Sequence, residues 1–289
     1  MSDIEDLASG KGHADENFPV ASHLIAARHR PVVMAFYRVA RLSDDVADHP
    51  ELSADEKLGR LAAVEASLTG QGAAVPAAIR LRDALGERGL SPQHMFDLLE
   101  AFRRDATKTR YADWDELMDY CRYSAAPVGR FVLDVHGESQ DTWPASDAVC
   151  AALQINNHLQ DCGKDYRALN RVYLPLDALD AAGAKVEDLA GPRATPALRA
   201  VIAELAQRTG ELLAAGAGLP VRVRDSRLGL ELGVIQRLAE DLNRRLRLRD
   251  PLSERVHHGK AEALTLALTG AVSTGLARLS PRAGREVRA

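Results

Sequence analysis

Residues Ala151 to Pro175 read AALQINNHLQDCGKDYRALNRVYLP, and within them Asn157, Asp161 and Asp165 stand at i, i+4 and i+8. On an α-helix this spacing sets three oxygen-bearing side chains on one face, about 6 Å apart per step. Like charges four residues apart destabilise a helix by roughly 0.2–0.5 kcal/mol. The ladder nevertheless sits behind the apolar run AVCAALQI rather than in a charged surface stretch.

A second ladder lies upstream in ARLSDDVAD, where Asp44 and Asp48 are again four apart, Asp45 is beside them, and VVMAFYRVARL runs up to them. Either ladder alone also fits a solvated helix face. Together, two carboxylate-bearing helices far apart in sequence can face each other across a cavity and hold hard cations between them. Asp and Asn oxygens suit Mg²⁺, which binds one or two carboxylates and completes its shell with water and phosphate oxygens. The ladders therefore suggest a diphosphate site.

The rest of the chain reads as helix, short turn, helix. Pro31 suits a helical first turn, and the helix carrying Tyr37, Arg41, Asp44 and Asp48 is expected to stop near His49-Pro50. Ser53 and Glu56 form a capping box before the stripe Leu58, Leu61, Val64 and Leu68. Further helices are expected at 76–88, 92–106 and 114–125, with Pro127 kinking or restarting a helix. Ser146 is read as the cap of the ladder helix. Beyond a broken stretch at 177–190, helices are expected from Thr195-Pro196 to AAGAGLP, at 224–246 and at 262–279. Small residues in SAAPVG leave room for a ligand or for a close-packed neighbour.

At 289 residues the chain is long enough for a substantial core. Its apolar residues are largely Ala and Leu and only 4% are aromatic, which favours helices over sheets. The net charge of −4 gives no electrostatic footprint for nucleic acid. The arginines at 244, 245, 247 and 249 read as a solvated helix end or as a phosphate or membrane-surface patch. Cys121, Cys150 and Cys162 have no CxxC spacing, so neither a disulfide framework nor a zinc site is indicated and a reducing compartment fits. With no signal-peptide pattern and no 18-residue apolar run, the expectation is a soluble cytoplasmic protein. GAGLPV fails as a dinucleotide fingerprint, HExxH and GxSxG are absent, and no internal repeat is found.

At the ladders the chain resembles the squalene/phytoene synthase family of head-to-head prenyl synthases. Asp44, Asp45 and Asp48, preceded by FYRVAR, look like its first aspartate-rich motif. Gln154, Asn157, Asp161 and Asp165 meet its second, QxxNxxxDxxxD, and RVYLP (Arg171 to Pro175) follows as in the family. YCRYSAAPVG (Tyr120 to Gly129) is similar to the helix lining the prenyl pocket. The resemblance runs from about Ser22 to Ala267 and implies an all-α isoprenoid-synthase (terpenoid synthase) helical bundle around a central apolar cavity whose mouth carries the ladders. The expected division is a mobile tail at 1–16, one domain at 17–280 and a basic tail at 281–289.

The resemblance implies Mg²⁺ held by Asp44, Asp48, Asn157, Asp161 and Asp165, with a prenyl diphosphate contacted by Ser22, Arg41, Tyr120, Gln154, Lys164, Arg171 and Tyr173. Arg41 matches the family's diphosphate-contacting arginine and equally fits an i, i+3 ion pair on its own helix. Tyr37, grouped with the aspartates as catalytic, either orients a phosphate or steadies a carbocation through its ring, or is ordinary core packing. Lys164 stands where the family often has an acid, and Gln160 where it often has an arginine. No role is assigned to His23, His29, His158, His257 or His258.

Within the family the sequence is similar to the subgroup found with bacterial hopanoid biosynthesis. That implies a carbon–oxygen lyase converting presqualene diphosphate to hydroxysqualene, with water capturing the cation. The alternatives are condensation of two farnesyl diphosphates to presqualene diphosphate or squalene, and a catalytically dead lipid-carrier scaffold, against which the intact set of five ligands argues. A lipid product leaves room for peripheral contact with the inner membrane and hand-over to other squalene-pathway enzymes.

Overall fold

Six prolines mark where helices begin: Pro31, Pro76, Pro127, Pro144, Pro196 and Pro220 each occupy the first or second helical position, where a missing N–H leaves no hydrogen bond unmade. The computed structural model describes residues 25–72 and 74–280. Its helices are α1 (Arg30–Ala47), α2 (Ala54–Thr69), α3 (Pro76–Gly86), α4 (Gln93–Thr107), α5 (Trp114–Ser124), α6 (Ala126–Val135), α7 (Trp143–Leu169), α8 (Leu176–Ala182), α9 (Pro196–Gly216), α10 (Leu219–Arg222), α11 (Ser226–Leu248) and α12 (Lys260–Leu279). Among the described residues there is no strand, only an isolated bridge between Arg110 and Val172. Ser22 and the tails expected at 1–16 and 281–289 lie outside the described residues.

Local signals set most boundaries. The Ser53–Glu56 capping box is formed, each side chain meeting the other's backbone N–H. Asp113 and Thr195 accept from the N–H groups of Glu116 and Leu198 at the starts of α5 and α9. Ala125, at φ −124 and ψ −48, breaks the path between α5 and α6, so Pro127 restarts a helix rather than kinking one. The cap assigned to Ser146 is a correction: Pro144 starts α7 at Trp143, and Ser146 is buried inside it. Gly129 of SAAPVG meets it there, where an added Cβ would overlap Ser146 and Cys150.

The apolar interior is divided around an opening. One cluster joins α1, α2, α3 and α4 to Phe131 and Val135 of α6. A second joins α5, the later part of α7, α8, α9 and the end of α11. A third, smaller cluster packs Leu133, Val149, Leu219 and Leu228, with Val132, Leu153 and Leu232 against it. Residues of α1, α4, α5, α6, α7 and α11 line the cavity left between them.

Candidate active site

Helices α1 and α7 face each other across this cavity of about 580 Å³. Asp44 and Asp48 open onto it from α1 and its C-cap, and Asn157, Asp161 and Asp165 from α7. Tyr37, Arg41, Tyr120, Gln154, Arg171 and Tyr173 share the same lining. The rest of the lining is mostly hydrocarbon, including Phe36, Phe102, Phe131, Leu228 and Leu232, with the buried Glu231 of α11 among them.

The chain returns to the site through Asn170, whose φ of 50 ends α7 in the left-handed conformation, a region Asn enters more readily than most residues. Arg110 holds that turn through the carbonyl and side chain of Asn170, and Val172 N–H donates to the Thr109 carbonyl at 2.9 Å. Arg171 is thereby set inward, with only 8% of its side chain exposed. Its Nη1 donates to Asp48 Oδ1 and its Nη2 to the Asp105 carbonyl, both at 2.9 Å.

Asp105, on α4, is the centre of a buried network that the sequence reading missed. Its carboxylate accepts from the hydroxyls of Tyr120 (2.8 Å) and Tyr173 (3.2 Å). Burial pushes Asp105 up to about 6, against the pull of Arg171 and the two phenols. His158, given no role from sequence, stacks on Tyr173 with centroids 3.4 Å apart, and Gln154 Nε2 donates to its Nε2 at 3.1 Å. Burial and the nearby Arg171 push this imidazole down to about 3, so it is neutral.

Arg41 satisfies both of its sequence readings. Its guanidinium donates to Asp44 (2.9 Å) and Asp45 (2.7 Å) on its own helix, and it also lines the cavity. Asp44 sits deep in the molecule yet keeps 39% of its side chain free, because it faces the cavity rather than packed atoms. Burial and then Asp48 push it up to about 7, with Arg41 opposing. Asp165 is also raised to about 7, by burial and then by Asp161, with a further contribution from Asp48. That contribution ties the two ladders together electrostatically.

The donor set suits a hard cation. Carboxylates raised by one another's charge hold a surplus of negative charge that a cation would neutralise. Among the described residues, the three-ligand cluster with atoms within 4.8 Å is His29, His136 and Asp225, not a set of ladder aspartates. The ladder carboxylates are thus not pre-gathered around one point, and a hard cation held by them would draw further ligands from water or phosphate oxygens. The histidine cluster is a poor cation site, since Arg28 and Arg88 guanidinium groups reach the His29 ring.

Lys164 is not part of the lining. It is 65% exposed and lies 3.4 Å from Asp161. The arginine cluster is largely paired: Arg244 and Arg245 with Asp241, Arg245 with Glu262, and Arg249 with Glu254. Gln160 is buried and donates to the Val256 carbonyl.

A helical bundle whose cavity runs from facing aspartate ladders into an apolar interior has the form that a diphosphate carrying a hydrocarbon chain requires. The chain belongs to the squalene/phytoene synthase family, whose profile matches residues 11–262. It is 58% identical to a hydroxysqualene synthase from Rhodopseudomonas palustris, over 97% of this chain and 96% of that one. It is 55% identical to a hydroxysqualene synthase from Zymomonas mobilis, over 92% of this chain and 90% of that one. Among solved structures it resembles a squalene synthase from Alicyclobacillus acidocaldarius, with a TM-score of 0.72 and 32% identity over 84% of this chain and 91% of that one. A dehydrosqualene synthase, 19% identical, shares the fold with a TM-score of 0.79 over 95% of this chain and 97% of that one. The fold is thus the terpenoid-synthase fold expected from the motifs.

Proposed function

We propose that this chain is a carbon–oxygen lyase that ionises presqualene diphosphate, lets the cation rearrange and captures it with water to give hydroxysqualene. The observation that carries the reading is the pairing of two facing oxygen ladders with an apolar interior in one cavity. The names and coverage of the relatives support the same substrate class.

In this reading Asp44, Asp48, Asn157, Asp161 and Asp165 hold Mg²⁺, which supplies Lewis-acid stabilisation of the departing diphosphate. Arg41 and Arg171 present guanidinium donors to the diphosphate oxygens, and their bonds to Asp44 and Asp48 fix where those donors point. The carbon–oxygen bond breaks with its electron pair leaving on the diphosphate. The cation then lies near Tyr120 and Tyr173, whose neutral rings can face it; burial holds both phenols well above their ordinary range. Neutral His158 adds no opposing charge. Preorganised charges in a site screened from water are worth far more than in bulk.

In the same reading the protein works in the cytoplasm, peripheral to the inner membrane, within squalene and hopanoid biosynthesis, and passes its product to other enzymes of that route. No helix among the described residues is long and apolar enough to cross a membrane.

The test is an end-point assay with purified protein and Mg²⁺, without NADPH, offering presqualene diphosphate and farnesyl diphosphate separately and identifying products by mass. Hydroxysqualene from the first, with the second untouched, is the expected result. Presqualene diphosphate formed from farnesyl diphosphate would replace this reading with the condensing one. Folded protein silent on both would point to a scaffold, which also predicts no thermal stabilisation by Mg²⁺ with inorganic diphosphate.

A further inference from the structure

Helix α12 is built inside out for a helix that faces water. Its buried residues are Gly270 and Thr274, packed so tightly on α11 that a Cβ on Gly233 would overlap Thr274 and one on Gly270 would overlap Gly233. Its outer face carries Leu264, Leu268, Val272 and Leu276 at four-residue spacing, followed by Leu279, each between 59% and 82% exposed. No ionisable side chain occurs from Ala263 to Ala277. A water-facing surface helix turns its large apolar residues inward; here small residues face in and large ones face out.

Charge says what covers this face. Lys260 opens the helix, and the nine residues after Ser280 contain Arg282, Arg285 and Arg288 against the single acid Glu286. Arg278 is already committed to the carbonyls of Pro220, Val223 and Arg224. An apolar stripe continued by a cationic segment matches an anionic lipid surface, where the stripe enters the acyl boundary and the cations meet headgroups. A second copy of the chain fits less well. The stripe is about 23 Å long and about 10 Å wide, roughly 230 Å² a side against the roughly 800 Å² per partner of a stable dimer.

We propose that α12 seats the protein on an anionic bilayer. The inference rests on the preceding reading in one respect, that substrate and product are lipids; the surface itself is read from side chains alone. It also gives the cavity a short route to lipid. Leu228, Leu232 and Ile235 of α11 line the cavity beside the buried Glu231, and α12 packs directly on α11.

Vesicle flotation of the full chain tests this without any substrate, using phosphatidylcholine vesicles with and without phosphatidylglycerol. Wild-type protein is expected to float with the anionic vesicles. Leu268→Glu and Val272→Glu are expected to lower the bound fraction about tenfold or more, while Ala62→Glu on α2 makes the same charge change without effect. Replacing Arg282, Arg285 and Arg288 by Glu should remove the preference for anionic vesicles. Because position 268 is exposed, Leu268→Glu should keep the wild-type thermal midpoint and turnover of detergent-dispersed substrate. Wild-type protein that ignores both vesicles overturns the proposal. So does a sedimenting dimer that Leu268→Glu converts to monomer, which would assign the face to a second copy. Failure of the assay on presqualene diphosphate with vesicle binding intact would sink the reaction and leave the surface standing.

Discussion

The two ladders carry the same chemistry with different counter-charges beside them. On α1, Arg41 bonds to both Asp44 and Asp45, and Arg171 bonds to Asp48. On α7, Asp161 has only the exposed Lys164 at 3.4 Å, and Asp165 is raised to about 7 by burial and by its neighbours' charge. The first ladder comes with its counter-charges built in, which fixes where its carboxylates point before anything binds. Both halves hold an aspartate raised to about 7, Asp44 and Asp165, so a bound cation would relieve both, but on α7 the hydrogen-bonded counter-charge is the exposed Lys164 rather than a guanidinium.

If the contrast holds, the largest single effect belongs to the cation that joins the halves. Arg171→Leu leaves the buried Asp105 and the facing Asp48 without their guanidinium, and removing one partner of a buried pair costs about 3–5 kcal/mol. Urea unfolding of the variant should show a loss in that range, together with lost turnover. A loss below about 1 kcal/mol would mean that Arg171 does not bind the halves together.

Next comes Asp161→Asn, expected to lower turnover about 10²–10³-fold, the scale of removing one electrostatic contact from a transition state. Because the substitution also removes a like charge from beside Asp165, the cation-free protein should be no less stable than wild type. Equal losses of stability from Asp161→Asn and from Asp45→Asn, which strips a carboxylate from Arg41, would erase the distinction between the ladders.

The pH dependence of the cation-free protein sharpens the same point. Asp44 and Asp165 are raised from 3.8 to about 7 in the fold. Between about pH 4 and about pH 7 the folded protein therefore keeps protons that the unfolded chain has released, so rising pH weakens the fold across this window. The thermal midpoint should fall from about pH 5 to about pH 7.5, and Asp165→Asn should flatten the fall. Mg²⁺ with inorganic diphosphate should stabilise more at about pH 8 than at about pH 6, since cation and proton compete for the same oxygens. A flat profile in wild type would show that neither ladder is under charge strain.

What the sequence made legible was whatever repeats locally. Caps, prolines and the four-residue spacing of Asn157, Asp161 and Asp165 located the helices and the oxygen face of α7. The unread parts depend on partners far along the chain. Asp105 sits in an arginine-rich helix end and gains meaning only through Tyr120, Arg171 and Tyr173. His158 is adjacent to a ladder residue, but its stacking on Tyr173 requires the turn at Asn170. The final apolar helix was expected at 262–279, yet its outward leucines follow from how Gly233 of α11 admits Gly270 and Thr274, a fit between two helices that neither segment declares alone. Ser146 looked like a cap because it precedes a helical run, and Pro144 had already begun the helix.

The smallest expected effect falls on Lys164, the one cationic side chain placed between ladder aspartates in sequence and read there as a substrate contact. One residue short of Asp165, it is rotated about 100° off the oxygen face, and it is 65% exposed. An exposed pair with Asp161 contributes about 0–1 kcal/mol. Lys164→Ala should therefore leave stability unchanged within that margin and change turnover less than about threefold, with any change confined to KM and fading as salt rises. Steady-state kinetics at two ionic strengths would check it. A loss of tenfold or more in turnover at both would mean that Lys164 swings over the α7 ladder when substrate binds, and the second ladder would then carry a counter-charge of its own.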